Sequence, residues 1–336
     1  MMKNKYVFVL VMLVGLLVAS LGLTTIYVGS TQQPQEDEKL HIVTSFYPMY
    51  IAAMNVVGDT ENVELTNLSE PQTGCLHDFQ LTPADMQLLS EADAFIINGG
   101  GVESFMEDVA SAYPNLVIIN ASEHLDLLAE DEEEGHEEHE DEETHEEHNH
   151  GEEPESGEHV HDHGGVNAHA WMSVEMYRGQ VQAIAQGLAE LDPEHEQNYL
   201  DHAAQYDVKL AELQSEQEEI ASMVSGESVI LFHEAYEYVA GDYGLNVALV
   251  MDLDEERQVS AGEVAQVLEE IEEHGVTCIL AEELYGQKMA QTVQKSADIR
   301  VLYLDTLNRG DYDPDSYLTG MHHNLELMRQ LAETED

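Results

Sequence analysis

The sequence predicts an α/β protein of two lobes, each with a four-stranded, mostly parallel sheet and flanking helices, joined by one long rigid helix. Three observations carry this prediction. Strand-like and helix-like segments alternate along the chain, the pattern of parallel sheets covered by helices. A run over 194–223 contains neither glycine nor proline, and as a helix at 1.5 Å per residue it would span about 45 Å. That length suits a strut between lobes better than one packed element of a compact fold, and its apolar residues do not read as a heptad. Four strand-like segments precede the run and four follow it, so the halves mirror one another.

In the first half, residues 41–46 read as a strand and Tyr47–Val57 as a helix stopped by Gly58. Val63–Asn67 is the second strand, and the loop behind it carries Cys75 and His77. Thr82 and Pro83 open the next helix as N-cap and first helical residue, and it runs to Ser90. Residues 94–98 form an apolar, buried strand ending in Gly99, Gly100 and Gly101. A helix over 103–112 and a strand over 116–120 complete the first set. Residues 167–173 then lead into a helix over 174–190, and Asp192-Pro193 marks the start of the long helix. Strands over 228–232, 246–251, 277–281 and 300–304 alternate with helices near 234–242, 260–274, 286–297 and 315–332. The chain thus divides into a signal peptide or membrane anchor (1–30), a tether (31–39), an N-terminal lobe (40–192), a linking helix (193–224) and a C-terminal lobe (225–336).

Residues 130–163 interrupt the first lobe with eighteen acidic residues, eight histidines and no lysine or arginine. Self-repulsion and the near absence of apolar side chains rule out a packed core here. The paired units His136/His139 and His145/His148, with His150, His159, His161 and His163, point to divalent-metal handling. A chance association of histidines with an acidic spacer is the plainer alternative. Over the whole chain, 69 acidic residues face 11 basic ones, a formal charge of −58. Such a surface argues against nucleic acid and anionic membrane surfaces and attracts cations. The two cysteines, Cys75 and Cys278, are too few for a disulfide framework. At the N-terminus, Lys3 and Lys5 precede an uncharged, mostly apolar run of 23 residues from Tyr6 to Val28. Its length exceeds the about 7–15 residues of a secretory h-region and matches the roughly 20 of a spanning helix. A retained anchor is therefore favoured over cleavage after Ser30, and in either case the remainder is exported. With no cysteine before Cys75, an N-terminal lipid anchor is not expected.

Outside the acidic stretch, chemistry-bearing residues sit where strands end, the edge at which open parallel sheets bind ligands. His77 follows the second strand, His233 follows Phe232, Asp305 follows Leu304, and His169 stands just before a helix beside the only tryptophan, Trp171. A lone histidine of this kind is more often a hydrogen-bonded structural residue. Three of them and a carboxylate at equivalent places in mirrored halves form a candidate ligand set.

The segments Leu76-His77-Asp78-Phe79, His169-Ala170-Trp171, Phe232-His233-Glu234-Ala235-Tyr236 and Leu304-Asp305-Thr306 resemble, in order and spacing, the metal-ligand motifs of the zinc- and manganese-binding substrate-binding proteins of ABC transporters. An acidic, His-rich loop between the first two motifs is part of the likeness. The resemblance implies one ion held between two lobes by His77 and His169 from the first and by His233 and Asp305 from the second. It also implies delivery to ABC permease subunits driven by a cytoplasmic ATPase, with the protein expected to be a monomer. In manganese-type members the third position is usually glutamate; here it is His233. Three imidazoles and a carboxylate suit Zn2+, whereas manganese takes more oxygen ligands. Zn2+ is thus expected as the transported ligand, with affinity falling below about pH 6 because imidazoles must be neutral to coordinate. Departures exist: Cys75-Leu76 stands where a proline commonly precedes the first histidine, and Cys75 reads either as a buried thiol or as a further ligand. Cys278 reads as core, and the partner it has in disulfide-bearing zinc relatives is absent.

A manganese-specific protein of the same fold and an extracellular zinc buffer or adhesin remain as alternatives. The enzymatic competitor is a metallohydrolase, since His233-Glu234-Ala235-Tyr236-Glu237 approaches H-E-x-x-H, but position 237 is glutamate. No nucleophile elbow or phosphate loop is present, so no enzymatic activity is expected.

Overall fold

A computed structural model describes residues 12, 14–15, 39–70, 79–129, 165–251, 253 and 259–332. The chain divides at Leu40/His41, and residues His41–Asp336 form one compact unit. This unit holds two four-stranded sheets with the same strand order. In the first, β1 (Leu40–Thr44), β2 (Val63–Asn67), β3 (Ala94–Ile97) and β4 (Val117–Asn120) lie in the order β2-β1-β3-β4. In the second, β5 (Ser228–Leu231), β6 (Asn246–Val250), β7 (Cys278–Ala281) and β8 (Arg300–Tyr303) lie as β6-β5-β7-β8. β3 pairs in parallel with β1 and β4, and β5 and β7 pair in parallel with each other and with their outer neighbours. The inner strands β3 and β7 are buried along their whole length, which explains why they read as unbroken apolar runs. Cys278 is core, as expected, and burial pushes its thiol pKa up to about 12.

The helices follow from local signals. α1 (Tyr47–Val57) has Pro48 in its first turn and stops at Gly58, where φ is 55°. α2 (Pro83–Ser90) carries a reciprocal capping box between Thr82 and Asp85. α3 (Met106–Ala112) starts three residues later than the pattern suggested, because Glu103 turns its carboxylate back onto the β3 end and its carbonyl accepts from Met106 N–H. A 3-10 turn (Ala170–Met172) leads into α4 (Val174–Leu191), which Ser173 caps by accepting from Met176 N–H. In the second half α6 (Tyr236–Tyr243), α7 (Ala261–His274), α8 (Glu283–Val293) and α9 (Ser316–Leu331) alternate with the strands. The α8 helix begins three residues before the expected start.

The long helix α5 (Glu196–Val224) has 29 residues and spans about 44 Å. It does not start at Asp192-Pro193. Asp192 closes α4, its N–H bonding Leu188 O, and its carboxylate accepts from Tyr199 Oη at 2.8 Å and lies 2.7 Å from His195 Nδ1. The pair makes the turn between the two helices, and His195 is the N-cap. The expectation of no heptad is also corrected. Tyr199, Ala203, Tyr206, Leu210, Leu213, Gln217, Ile220 and Val224 are buried at alternating spacings of four and three. The stripe was hidden in the sequence because alanine, tyrosines and a glutamine fill it. It packs against α1 and α4 from the first half and α6 and α9 from the second. Arg178 of α4 locks the contact, donating to Asp207 through Nε at 2.6 Å and Nη2 at 2.9 Å and to Gln214 at 2.6 Å.

Candidate metal centre

His169 and His233 are the two expected ligands that the fold visibly brings together. Both rings are buried, with exposures of 0% and 1%, and their centroids lie 5.1 Å apart at an interplanar angle of 86°. His169 enters from the segment before the 3-10 turn. His233 stands two residues beyond β5, at the carboxyl edge of the second sheet. The two come from opposite halves of the chain.

The protonation of each ring follows from its neighbours. Asn167 Oδ1 lies 3.0 Å from both the backbone N–H and Nδ1 of His169. A backbone N–H can only donate, so this atom of Asn167 is the oxygen, and an oxygen of this kind can only accept. Nδ1 of His169 therefore carries a proton, facing Glu234 Oε1 at 3.4 Å as well, and in the neutral ring Nε2 is the nitrogen that holds the lone pair. An acceptor behind Nδ1 is the arrangement that fixes a metal-binding imidazole. His233 is the opposite case: its Nδ1 accepts from Ala235 N–H at 3.0 Å. An ion at Nδ1 would replace that bond, and an ion at Nε2 requires the bond to be lost.

Asp305 stands two residues beyond β8, and its loop is tied to both histidine segments. Trp171 Nε1 donates to Thr306 O at 2.8 Å, and Tyr236 Oη donates to Leu304 O at 2.8 Å. These bonds flank Asp305 on both sides. Its carboxylate accepts from Leu307 N–H, and its own N–H donates to Asn324 Oδ1, both at 2.8 Å. Beside it Glu282 pairs with Arg309 at 3.1 Å, so this second carboxylate has a basic partner. Glu237, in the H-E-x-x-H-like segment, accepts from Asn167 Nδ2 at 2.7 Å. It thus has a structural partner of its own.

His77 and Cys75 lie outside the described residues, as do His136, His139, His145, His148, His150, His159, His161 and His163. Among the described residues, no group of three or more His, Cys, Asp or Glu side chains is placed to hold an ion. His169, His233 and Asp305 are all described, so these three of the four expected ligands are not gathered around one point there, and the Asp305 carboxylate instead accepts from Leu307 N–H. The base of the acidic insertion is described, with Ala129 bridging Val166 in antiparallel fashion.

Behind the site, Glu103 is buried and accepts from Ser45 Oγ at 2.8 Å, Asn98 N–H at 2.7 Å and Gly99 N–H at 3.1 Å. Burial pushes its pKa from 4.5 up to about 7 against the opposing effect of these bonds. Asn98 in turn donates to Ala168 O at 2.9 Å, one residue from His169. Reading strand ends did not find Asn167, Glu103 or the Tyr236 contact. Only the position of Asn167 two residues before His169 could have hinted at one of them.

The profile of the family described as "Zinc-uptake complex component A periplasmic" matches residues 42–331. The chain belongs to this family. The zinc-uptake relatives include the high-affinity zinc uptake system protein ZnuA of Bacillus subtilis (strain 168), 29% identical over 298 residues that make up 87% of each chain. The zinc-binding lipoprotein AdcA of Streptococcus pneumoniae (strain R6) is 28% identical over 96% of this chain. The chain spans only 61% of the length of that relative. Among solved structures, Zn(II)-bound AdcA from Streptococcus pneumoniae aligns with a TM-score of 0.68 at 24% identity, covering 89% of this chain and 61% of that one. The substrate-binding protein FpvC of Pseudomonas aeruginosa with Ni2+ aligns at 0.69 and 22% identity, over 89% and 99%. At these identities the structures show a common fold.

Proposed function

We propose that this protein captures Zn2+ on the outer side of the cytoplasmic membrane and delivers it to an ABC permease driven by a cytoplasmic ATPase. The pairing of His169 with His233 from opposite halves, in a chain of the zinc-uptake family, carries this reading. The proposed ligands are His77, His169, His233 and Asp305, with 40–192 and 225–336 as lobes and 193–224 as the linking helix. Four protein ligands leave no open position for an activated water, which fits a carrier and not a hydrolase. The histidines of 130–163 act as weak, exchangeable collectors near the site. Attachment runs through the apolar segment at 6–28. AdcA of Streptococcus pneumoniae is named a lipoprotein, whereas the first cysteine of this chain is Cys75.

The test is metal analysis of the purified protein followed by competition titration with Zn2+ and Mn2+. His233→Ala should weaken zinc binding by more than the about 10–100-fold typical of losing an outer-sphere partner. Deletion of 131–163 should leave the tight site intact. The reverse order of effects, or preference for Mn2+, would sink the assignment.

A further inference from the structure

Asn167 is fully buried, and each of its polar groups has a partner. Its N–H donates to Leu128 O at 2.8 Å, and its carbonyl accepts from Tyr238 Oη at 2.8 Å. Its Oδ1 accepts from His169 N–H and Nδ1, both at 3.0 Å. Its Nδ2 donates to Glu234 O at 2.9 Å and to Glu237 Oε2 at 2.7 Å. The neighbours dictate the orientation of the amide. Reversing it would set NH2 against a backbone N–H and set oxygen against a carbonyl and a carboxylate.

Three structures meet in this residue. Leu128 and Asn167 bracket the Ala129–Val166 bridge at the base of the acidic insertion, and Leu128 N–H also bonds Tyr238 Oη at 3.2 Å. Glu234, Glu237 and Tyr238 belong to the second half, at and beside α6. His169 is the candidate ligand of the first half. Its ring is thus held by a side chain that is itself held from the other half.

We propose that Asn167 is the positioning residue of the metal centre. It selects the Nδ1–H form of His169, aims Nε2 at the ion, and ties that geometry to α6 and to the base of the insertion. The proposal rests on the zinc reading above. Loss of an outer-sphere partner that orients a ligand imidazole typically costs 10–100-fold in metal affinity.

The experiment compares wild type, His233→Ala, Asn167→Ala, and the exchange pair Asn167→Asp with Glu237→Gln. The exchange keeps an acceptor behind His169 Nδ1 and re-forms the bond to position 237 with donor and acceptor reversed, but it loses the donor to Glu234 O. Zinc affinity is read by competition with a chromophoric chelator, ligand geometry by the visible absorption of bound Co2+, and folding by melting of the metal-free protein. Asn167→Ala should lose about 10–100-fold in zinc affinity and shift the Co2+ bands, and the exchange pair, which restores the acceptor behind His169 but not the donor to Glu234 O, should recover part of both. Wild-type affinity and Co2+ bands in Asn167→Ala would overturn the proposal. So would an exchange pair that regains the melting temperature of wild type but none of the lost affinity. If His233→Ala binds zinc as tightly as wild type, the site assignment itself fails and the positioning role goes with it.

Discussion

Glu103 shows how much of this site depends on single buried groups. Its carboxylate organises the end of β3 and, through Asn98, the residue next to His169. Because burial raises its pKa to about 7, the folded state holds the proton more tightly than the unfolded chain. Stability from the neutral form is complete below about 4.5 and is lost as pH rises through about 7, amounting to at most about 3 kcal/mol. Urea unfolding between pH 5 and pH 8, roughly that window, should show this decline in wild type and lose it in Glu103→Gln. An identical slope in both would show that Glu103 is not the group responsible. His77, His233 and Asp305 are candidates because they follow strands, at the carboxyl edge that a parallel sheet exposes, and His169 because it precedes a helix beside Trp171. Such signals could not find Asn167, whose partners are 39 residues upstream at Leu128 and 67 to 71 residues downstream at Glu234 to Tyr238.

Among the elements, the glycine turn after β3 is the most exacting. Gly100 has φ of 66°, and a Cβ there would lie 3.2 Å from Cα of Ala168. Gly100→Ala should cost about 1–2 kcal/mol from the left-handed backbone alone. Because it presses on the residue beside His169, it should weaken zinc binding as well. Denaturant midpoints and zinc titration read the two effects separately, and wild-type values in both would contradict the packing described. The strand and helix positions were legible because alternation, caps and glycine stops are local signals. The start of α5 was not, since Asp192-Pro193 satisfies the local rule for a helix start, whereas Asp192 closes α4 and turns its carboxylate onto His195 and Tyr199.

On the scale of the whole molecule, charge dominates. With 69 acidic and 11 basic residues, self-repulsion opposes the compact state. Raising ionic strength from about 0.01 M to 0.15 M shortens the screening length from about 30 Å to about 8 Å. The melting temperature of the metal-free protein should therefore rise with NaCl over that range. A flat or falling dependence would mean that the surface charges are already compensated. The same field favours cation approach.

Taken alone, the sequence determined the α/β class, the two mirrored sets of strands, the candidate ligands and the zinc-favouring donor types. Each of these rests on residue type, spacing or order, which the linear chain carries. Tertiary structure decided that His169 and His233 face each other, which nitrogen of each ring is protonated, and that α5 is a spine shared by both halves. Those depend on hydrogen bonds and packing between residues far apart in the chain, where no local pattern reports the partner.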